Sequence, residues 1–520
     1  MNGWLILLII FVYFSLLILI SWITGKKSDS DTFFRGNRSS PWYLVAFGMI
    51  GTSISGVTFI SVPGWVNDQQ FAYFAMVIGY LFGYGVIAFL LMPLYYRLNL
   101  TSIYTYLESR LGIVSYKTGA AFFLLSRTVG ASFRMFLVAI VFQLILKNIG
   151  FEVHFAIPVI ISFLLVYSYT FRGGIKTIVW TDSFQTIFLI GSAALTVWWI
   201  AGEMGWGLGE MISAVGESEY SKIFFTDDFN DKKHFIRQMI NGAFIAIVMT
   251  GLDQDMMQKN LTCRNLKEAQ WNMSTFCLIL VFVNLIFLFL GALLFMYGNS
   301  EGFLSEEVVK NQVQLFAKDP VCLTGDCPMI KIRSDEVFPL FALNFFNSTL
   351  ITILFILGIT AAAYASVDSA LASLTTSFCI DFLSFGTAGD ESKKKKIRTL
   401  VHAGFSALMV IVVLIFQAIN NQAVIETIFT VAGFTYGPLL GLFAFGLLTR
   451  RPVRDRYSAF ICIAAPLISY WLSKSIPDWG FNIGWEILLV NGAITFLGLW
   501  MSGMGVKTKD NEQGTMNREQ

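Results

Sequence analysis

Apolar runs long enough to cross a bilayer recur along this chain, and that one property limits the folds open to it. WLILLIIFVYFSLLILISWIT at residues 4–24 and LITILFILGITAAAYASVDSALASLTTSFCIDFL at 350–383 are two examples. A spanning helix needs about 20 predominantly apolar residues. Charged residues make up 13% of the chain, against about 25% in soluble domains. In lipid no water is at hand for backbone N–H and C=O groups, so only helices, which satisfy these groups internally, or closed barrels can span. Runs of this length specify helices, and the expected fold class is an all-α membrane protein.

Apolar stretches bounded by charge or by Gly and Pro place about thirteen spans, at 4–24, 42–65, 71–96, 116–146, 155–171, 177–201, 238–258, 267–297, 349–383, 399–418, 422–449, 457–473 and 484–504. The first has MNG before it, with no basic residue, and is longer than a signal-peptide core, so it is expected to remain as a span. Lys and Arg crowd alternate connections: Lys26, Arg35 and Arg38; Lys259, Arg264 and Lys267; Lys393 to Lys396; Arg450, Arg451 and Arg454. The short connections on the other side carry only Lys147 and Lys474. The positive-inside rule puts the crowded side in the cytoplasm. The N-terminus is then outside and the C-terminus inside a cell membrane. Cys322 and Cys327 share one outer loop, where pairing is open. The three histidines, His154, His234 and His402, are far apart, and no zinc-ligand spacing appears.

An ionisable residue within a span costs about 2.5–3.5 kcal/mol on insertion scales, so each one calls for a partner or a task. Asp182, Asp253, Asp255, Asp368, Arg127 and Arg134 qualify. Asp253 and Asp255 lie within two turns of Lys259, and the plain reading for both is a salt bridge inside the bundle or a position at the membrane interface. Asp182 and Asp368 sit beside small hydroxyl residues, a setting suited to a hard cation held through oxygen. The second span, GMIGTSISGVTFISVPGW from Gly48, gathers four glycines, a proline and five hydroxyl residues. Such a helix is expected to be broken, exposing carbonyl oxygens to a cation and half-helix N-termini to anions; the competing reading is close helix packing through small residues. GITAAAYASVDSALASLTTS, in the ninth span, has the same character.

These segments, with GGIKTIVWTDSFQ at 173–185, GLDQDMMQKNLTCRNLKEAQ at 251–270 and GPLLGLFAFGLLTRR at 437–451, resemble the sodium:solute symporter family over nearly the whole chain. The resemblance implies a five-plus-five inverted-repeat core with a broken first core helix. The first repeat would span 42–201 and the second 238–449, with an extra helix at 1–24, two more within 457–504 and a cytoplasmic tail at 505–520. It also implies a sodium site made by carbonyls of Gly51, Ile54 and Ala362 and the hydroxyl of Ser366. Where many members have two adjacent hydroxyl residues, this chain has Ala365 before Ser366, and one ligand is missing. Asp182 matches the aspartate that helps form a second sodium site in some members, and Asp368 adds a carboxylate nearby. Sodium is the coupling ion implied, and no cofactor is expected.

For the solute, Ser55, Thr58 and Arg134 resemble the arrangement by which sialic-acid members hold a carboxylate, a task suited to the bidentate guanidinium. Asp253 and Phe429 complete the expected solute contacts. Phe429 falls where sugar-transporting members carry a glutamine, which lowers the sugar reading. The expected function is sodium-coupled import of a small organic solute bearing a carboxylate, sialic acid being one candidate. A neutral sugar or polyol is the alternative. A membrane solute sensor is set aside because only about 15 polar residues follow the last span, and an enzyme because no nucleophile–base pair, metal cluster or phosphate loop appears. Nucleic acid is not an expected partner.

Overall fold

The computed structural model describes residues 3–504 apart from 27–28, 149, 172, 310–311, 320–327, 386–389, 420–423, 477–479 and 481–482. Cys322, Cys327 and the tail at 505–520 lie outside the described residues.

The elements used below are α1 (Gly3–Thr24), α2 (Trp42–Ser53), α3 (Gly56–Gln69), α4 (Ala72–Val86), α5 (Ile113–Asn148), α6 (Ala156–Thr170), α7 (Ile175–Glu203), α8 (Phe235–Ala246), α9 (Gln254–Asn260), α10 (Leu266–Ser300), α11 (Thr349–Ser377), α12 (Glu391–Ile419), α13 (Val424–Leu448), α14 (Ser458–Ser475) and α15 (Ile487–Ser502). Each expected span is a helix or a bent pair of helices. Among the described residues 8 helices are long and apolar enough to cross a membrane, or up to 10 when each bent pair is taken as one span. α6 and α15 are shorter apolar helices. The outer face of α1 shows why lipid is the solvent: Leu8, Phe11, Leu19 and Ile23 are exposed, while Tyr13, Phe14 and Leu17 are buried.

Two breaks organise the interior. α2 and α3 meet at 59°. Ile54 leaves helical geometry at φ −84, ψ 87 and Ser55 is extended at φ −80, ψ 172. The close approach that positions this break depends on Gly48, where an added Cβ would lie 3.2 Å from the Asp182 Cβ and the Val179 carbonyl on α7. α8 and α9 meet at 70°, although the sequence reading took 238–258 as one uninterrupted span. A π turn at Ile247–Gly251 loosens the end of α8. Asp253 then restarts the chain as the N-cap of α9, its side chain accepting from the Asp255 and Met256 amides. Two broken helices therefore point their irregular segments into one interior, where such backbone is tolerated because it lines a cavity or is buried in protein.

The long loop after α10 contains a small antiparallel sheet, β1 (Leu304–Val309), β2 (Gln312–Lys318) and β3 (Met329–Ile332), in the order β1-β2-β3. Leu304 pairs with Ala317 and Leu315 with Ile332. This sheet is the one departure from an all-helical fold among the described residues, and the sequence reading held the segment only as a polar loop.

Candidate functional site

The break between α2 and α3 faces α11. The Ser366 hydroxyl lies 3.2 Å from both the Thr52 carbonyl and the Ala362 carbonyl, so the α11 ligand candidates and the irregular turn holding Gly51 and Ile54 meet at one point. The Gly51 amide donates to the Thr186 hydroxyl at 3.1 Å, tying the break to α7 from the opposite side. A cluster of carbonyl and hydroxyl oxygens on buried, partly unwound backbone has the chemistry of a site for a small hard cation.

Next to it lies a buried charged cluster. The Lys259 ammonium, on α9, pairs with Asp182 Oδ2 and donates to the Thr52 hydroxyl. Thr52 Oγ1 is 3.0 Å from the same Asp182 oxygen and 3.3 Å from the Ala365 carbonyl. The Asp368 carboxyl group neighbours Asp182; its Oδ2 accepts from Tyr169 Oη at 2.9 Å and its Oδ1 from the Ser369 amide at 2.5 Å. Asp182, Asp368 and Lys259 are all buried. Asp255 Oδ1 accepts from Ser369 Oγ, and its Oδ2 pairs with Arg127. Nearness to Lys259 along the chain does not become pairing with it for Asp253 or Asp255: the 70° break turns α9 so that Lys259 reaches α7 and Asp255 reaches α5.

A cavity of about 90 Å³ opens beside this cluster. Ser55 and Thr58 of the break, Arg127 and Arg134 of α5, and Phe429 of α13 all line it, along with Thr52. Tyr73, Tyr80 and Tyr84 give it an aromatic wall. Arg134 is 8% exposed, and its Nε and Nη1 have no hydrogen-bond partner among the described residues. A buried guanidinium lacking a carboxylate of its own is costly, and the open cavity in front of it is where an anion would compensate it. Asp253 is a correction: it does not line this cavity. Its carboxylate caps α9 and accepts from Tyr436 Oη at 2.5 Å, so both oxygens are engaged in holding the break.

A larger cavity of about 500 Å³ lies at the end of the bundle that carries the small sheet, and its lining includes Trp65, Lys232, Ser334, Lys474, Trp485 and Glu486. An aromatic stack stands between the two cavities. Trp65 and Trp485 are stacked with ring centres 5.9 Å apart, and Phe429 lies 4.9 Å from Trp485.

Sequence reasoning did not give Thr52, Arg127 or Lys259 a part in these sites. Thr52 was one of five hydroxyl residues in its span, and the position of Lys259 at the end of a run of spans reads as a boundary charge. Only the 70° bend brings that charge inside.

Comparison with known proteins places this arrangement. The model of the sodium:solute symporter family matches residues 33–461 of the 520 in the chain. A sodium/sialic acid symporter of Proteus mirabilis is 24% identical over 506 residues, covering 94% of each chain. A sodium/sialic acid symporter of Aliivibrio fischeri is 24% identical over 485 residues, covering 90% of this chain and 88% of its own. Among solved structures, a substrate-bound, outward-open Na+-coupled sialic acid symporter superposes with a TM-score of 0.77 at 19% identity, over 98% of both chains. At that identity the superposition establishes the fold alone.

Proposed function

The chain belongs to the sodium:solute symporter family, and we propose that it imports a carboxylate-bearing organic solute together with sodium, sialic acid being the first candidate. It is a multi-pass membrane transporter coupled to sodium. The observation that carries the solute class is Arg134: a buried guanidinium that lines the cavity, with Nε and Nη1 unpaired among the described residues. Ser55 and Thr58 supply hydroxyls to the same cavity, so a carboxylate would meet a charged fork on one side and neutral donors on the other.

For sodium we assign the carbonyls of Gly51, Ile54 and Ala362 and the hydroxyl of Ser366. The convergence of Ser366, Ala362 and the break supports this. Asp368 adds carboxyl oxygens nearby, and the part of Asp182 is taken up below. The Trp65, Trp485 and Phe429 stack would close the solute cavity on the side of the sheet. The distribution of Lys and Arg puts that side outside the cell, with the C-terminus in the cytoplasm.

The test is a thermal-shift screen of purified protein against sialic acid, smaller monocarboxylates, neutral sugars and polyols, each in sodium and in potassium. A stabilisation by carboxylates that needs sodium is expected. Stabilisation by neutral sugars with no response to any carboxylate would overturn the solute assignment, and equal responses in potassium would overturn the coupling.

A further inference from the structure

Asp182 and Asp368 are completely buried neighbours. Beside them stand the hydroxyls of Thr52 and Ser366 and the Ala365 carbonyl. Two carboxylates with hydroxyl and carbonyl oxygens around them make a strongly cation-seeking pocket. In this protein a cation is already there and is covalently tethered: the Lys259 ammonium, itself 1% exposed, bonds Asp182 Oδ2 and Thr52 Oγ1.

We propose that Lys259 is a built-in counter-cation that holds the place of a second coupling ion, so that the protein binds one sodium, at the Gly51, Ile54, Ala362 and Ser366 site. The inference rests on the sodium-coupled reading above and deepens it by fixing the ion count.

Three features support the assignment. The first is the local charge balance. The Lys259 ammonium already pairs with the Asp182 carboxylate, so the charge that a cation at this carboxylate would balance is taken. A second sodium would leave this dry region with an excess positive charge, which is costly at low dielectric. The second is geometry. The ammonium is a compact point charge with three donors, and it bonds the same carboxylate oxygen that accepts from Thr52, so a metal ion at that oxygen would have to displace it. The third is anchoring. Lys259 sits on α9, whose residues are all buried and whose start is capped by Asp253. Withdrawing the ammonium would mean dislodging a short helix fixed at its N-cap or leaving the charge unpaired among apolar side chains.

The ion count has a consequence for energetics. One sodium moving with one carboxylate monoanion carries no net charge. Membrane potential would then not drive uptake, and a tenfold sodium gradient would support about tenfold accumulation. Two sodium ions with the same solute would carry one positive charge inward, and potential would drive uptake.

The deciding measurement is the number of sodium ions bound per purified protein without solute, by equilibrium dialysis with radioactive sodium. One ion with a Hill coefficient of 1 is expected, and two ions in the unaltered protein would overturn the proposal. In Lys259→Ser, which removes the ammonium and leaves Asp182 facing an open space, the count should rise to two. A folded Lys259→Ser protein that still binds one would overturn the idea that Lys259 holds an ion's place. If this variant does not fold, the count in the unaltered protein decides alone. In proteoliposomes with sialic acid as the probe, initial uptake should show one sodium per solute and the same rate with the potential clamped at zero or inside-negative; a potential-driven increase would again refute it. Absence of any sodium binding would instead remove the symport reading on which the count depends.

Discussion

Arg134→Gln separates solute binding from everything else in the site. Arg134 lines the cavity and its Nε and Nη1 have no hydrogen-bond partner among the described residues, and a hydrogen bond to a charged partner contributes about 1.5–3 kcal/mol. Losing two such bonds at the lower limit costs about 3 kcal/mol, or roughly 150-fold in dissociation constant at 1.4 kcal/mol per factor of ten. The fold should tolerate the change, because Arg134 has no carboxylate partner that its removal would strand. Arg127→Gln is the internal contrast: it leaves the buried Asp255 without its ion pair, a loss of about 3–5 kcal/mol in stability. The assay is calorimetric titration of sialic acid and smaller carboxylates at saturating sodium, with sodium titrated separately and unfolding temperatures recorded for both variants. Arg134→Gln should weaken the carboxylate about 150-fold, change sodium affinity by less than about threefold and unfold near the temperature of the unaltered protein. A carboxylate affinity within threefold of normal would refute the reasoning and make Arg134 a packing residue.

Three further outcomes are expected. Ser366→Ala should raise the sodium concentration for half-maximal uptake about tenfold, the loss of roughly one oxygen ligand worth 1.4 kcal/mol, whereas Ser373→Ala, whose hydroxyl bonds only the Ala370 carbonyl of its own helix, should change it less than twofold; equal effects would show the ligand assignment to be wrong. Trp485→Ala removes the central ring of the stack joining Phe429 to Trp65 and should speed solute release about tenfold, at roughly 1 kcal/mol or more for the aromatic contacts, as read by stopped-flow fluorescence. Asp253→Ala should lower the unfolding temperature by removing the α9 cap, worth about 1 kcal/mol, with little change in carboxylate affinity; a selective loss of solute binding would return Asp253 to the cavity.

The legible part of this molecule was the part written in local pattern. Runs of apolar residues located the long apolar helices because bilayer thickness imposes a length, and the crowd of Gly and Ser between Gly48 and Gly64 announced the first break because those residues favour neither a regular helix nor a bulky interface. The second break was illegible for a physical reason. The stretch at 238–258 is apolar enough to read as one span, and the interruption depends on a π turn and on Asp253 acting as a cap, a role indistinguishable in sequence from a charge near a membrane boundary. The pairing of the buried charges was hidden by the same bend, since Lys259 is five residues from Gln254 along the chain but meets Asp182 and Thr52 in space. Ser55, Thr58, Arg134 and Phe429 are named from resemblance, and the fold brings all four to one cavity; Asp253, expected among the solute contacts, is instead engaged by its own capping bonds.

Thr52 is where these parts join. Its carbonyl accepts from Ser366 beside the sodium site, its hydroxyl lies between Lys259 and Asp182, and the residue lines the solute cavity. A sodium ion held between the break and α11 would fix the backbone at Thr52, and with it Ser55 and Thr58 a turn further on, which supply the cavity's hydroxyls. Without the ion, the break is held to α11 chiefly by two neutral hydrogen bonds of 3.2–3.3 Å, Ser366 to the Thr52 carbonyl and Thr52 to the Ala365 carbonyl. Each such bond contributes about 1 kcal/mol, so the α11 side of the break is held weakly, whereas Gly51 and Thr52 are anchored on the side of α7 and α9. Sodium at the assigned site would bear on the solute by tightening the α11 side of the wall that the solute touches. By linkage the solute must raise sodium affinity by the same factor. With the sodium site as assigned, either ligand would favour the other, and sodium affinity measured with and without solute should differ by the same factor as solute affinity measured with and without sodium.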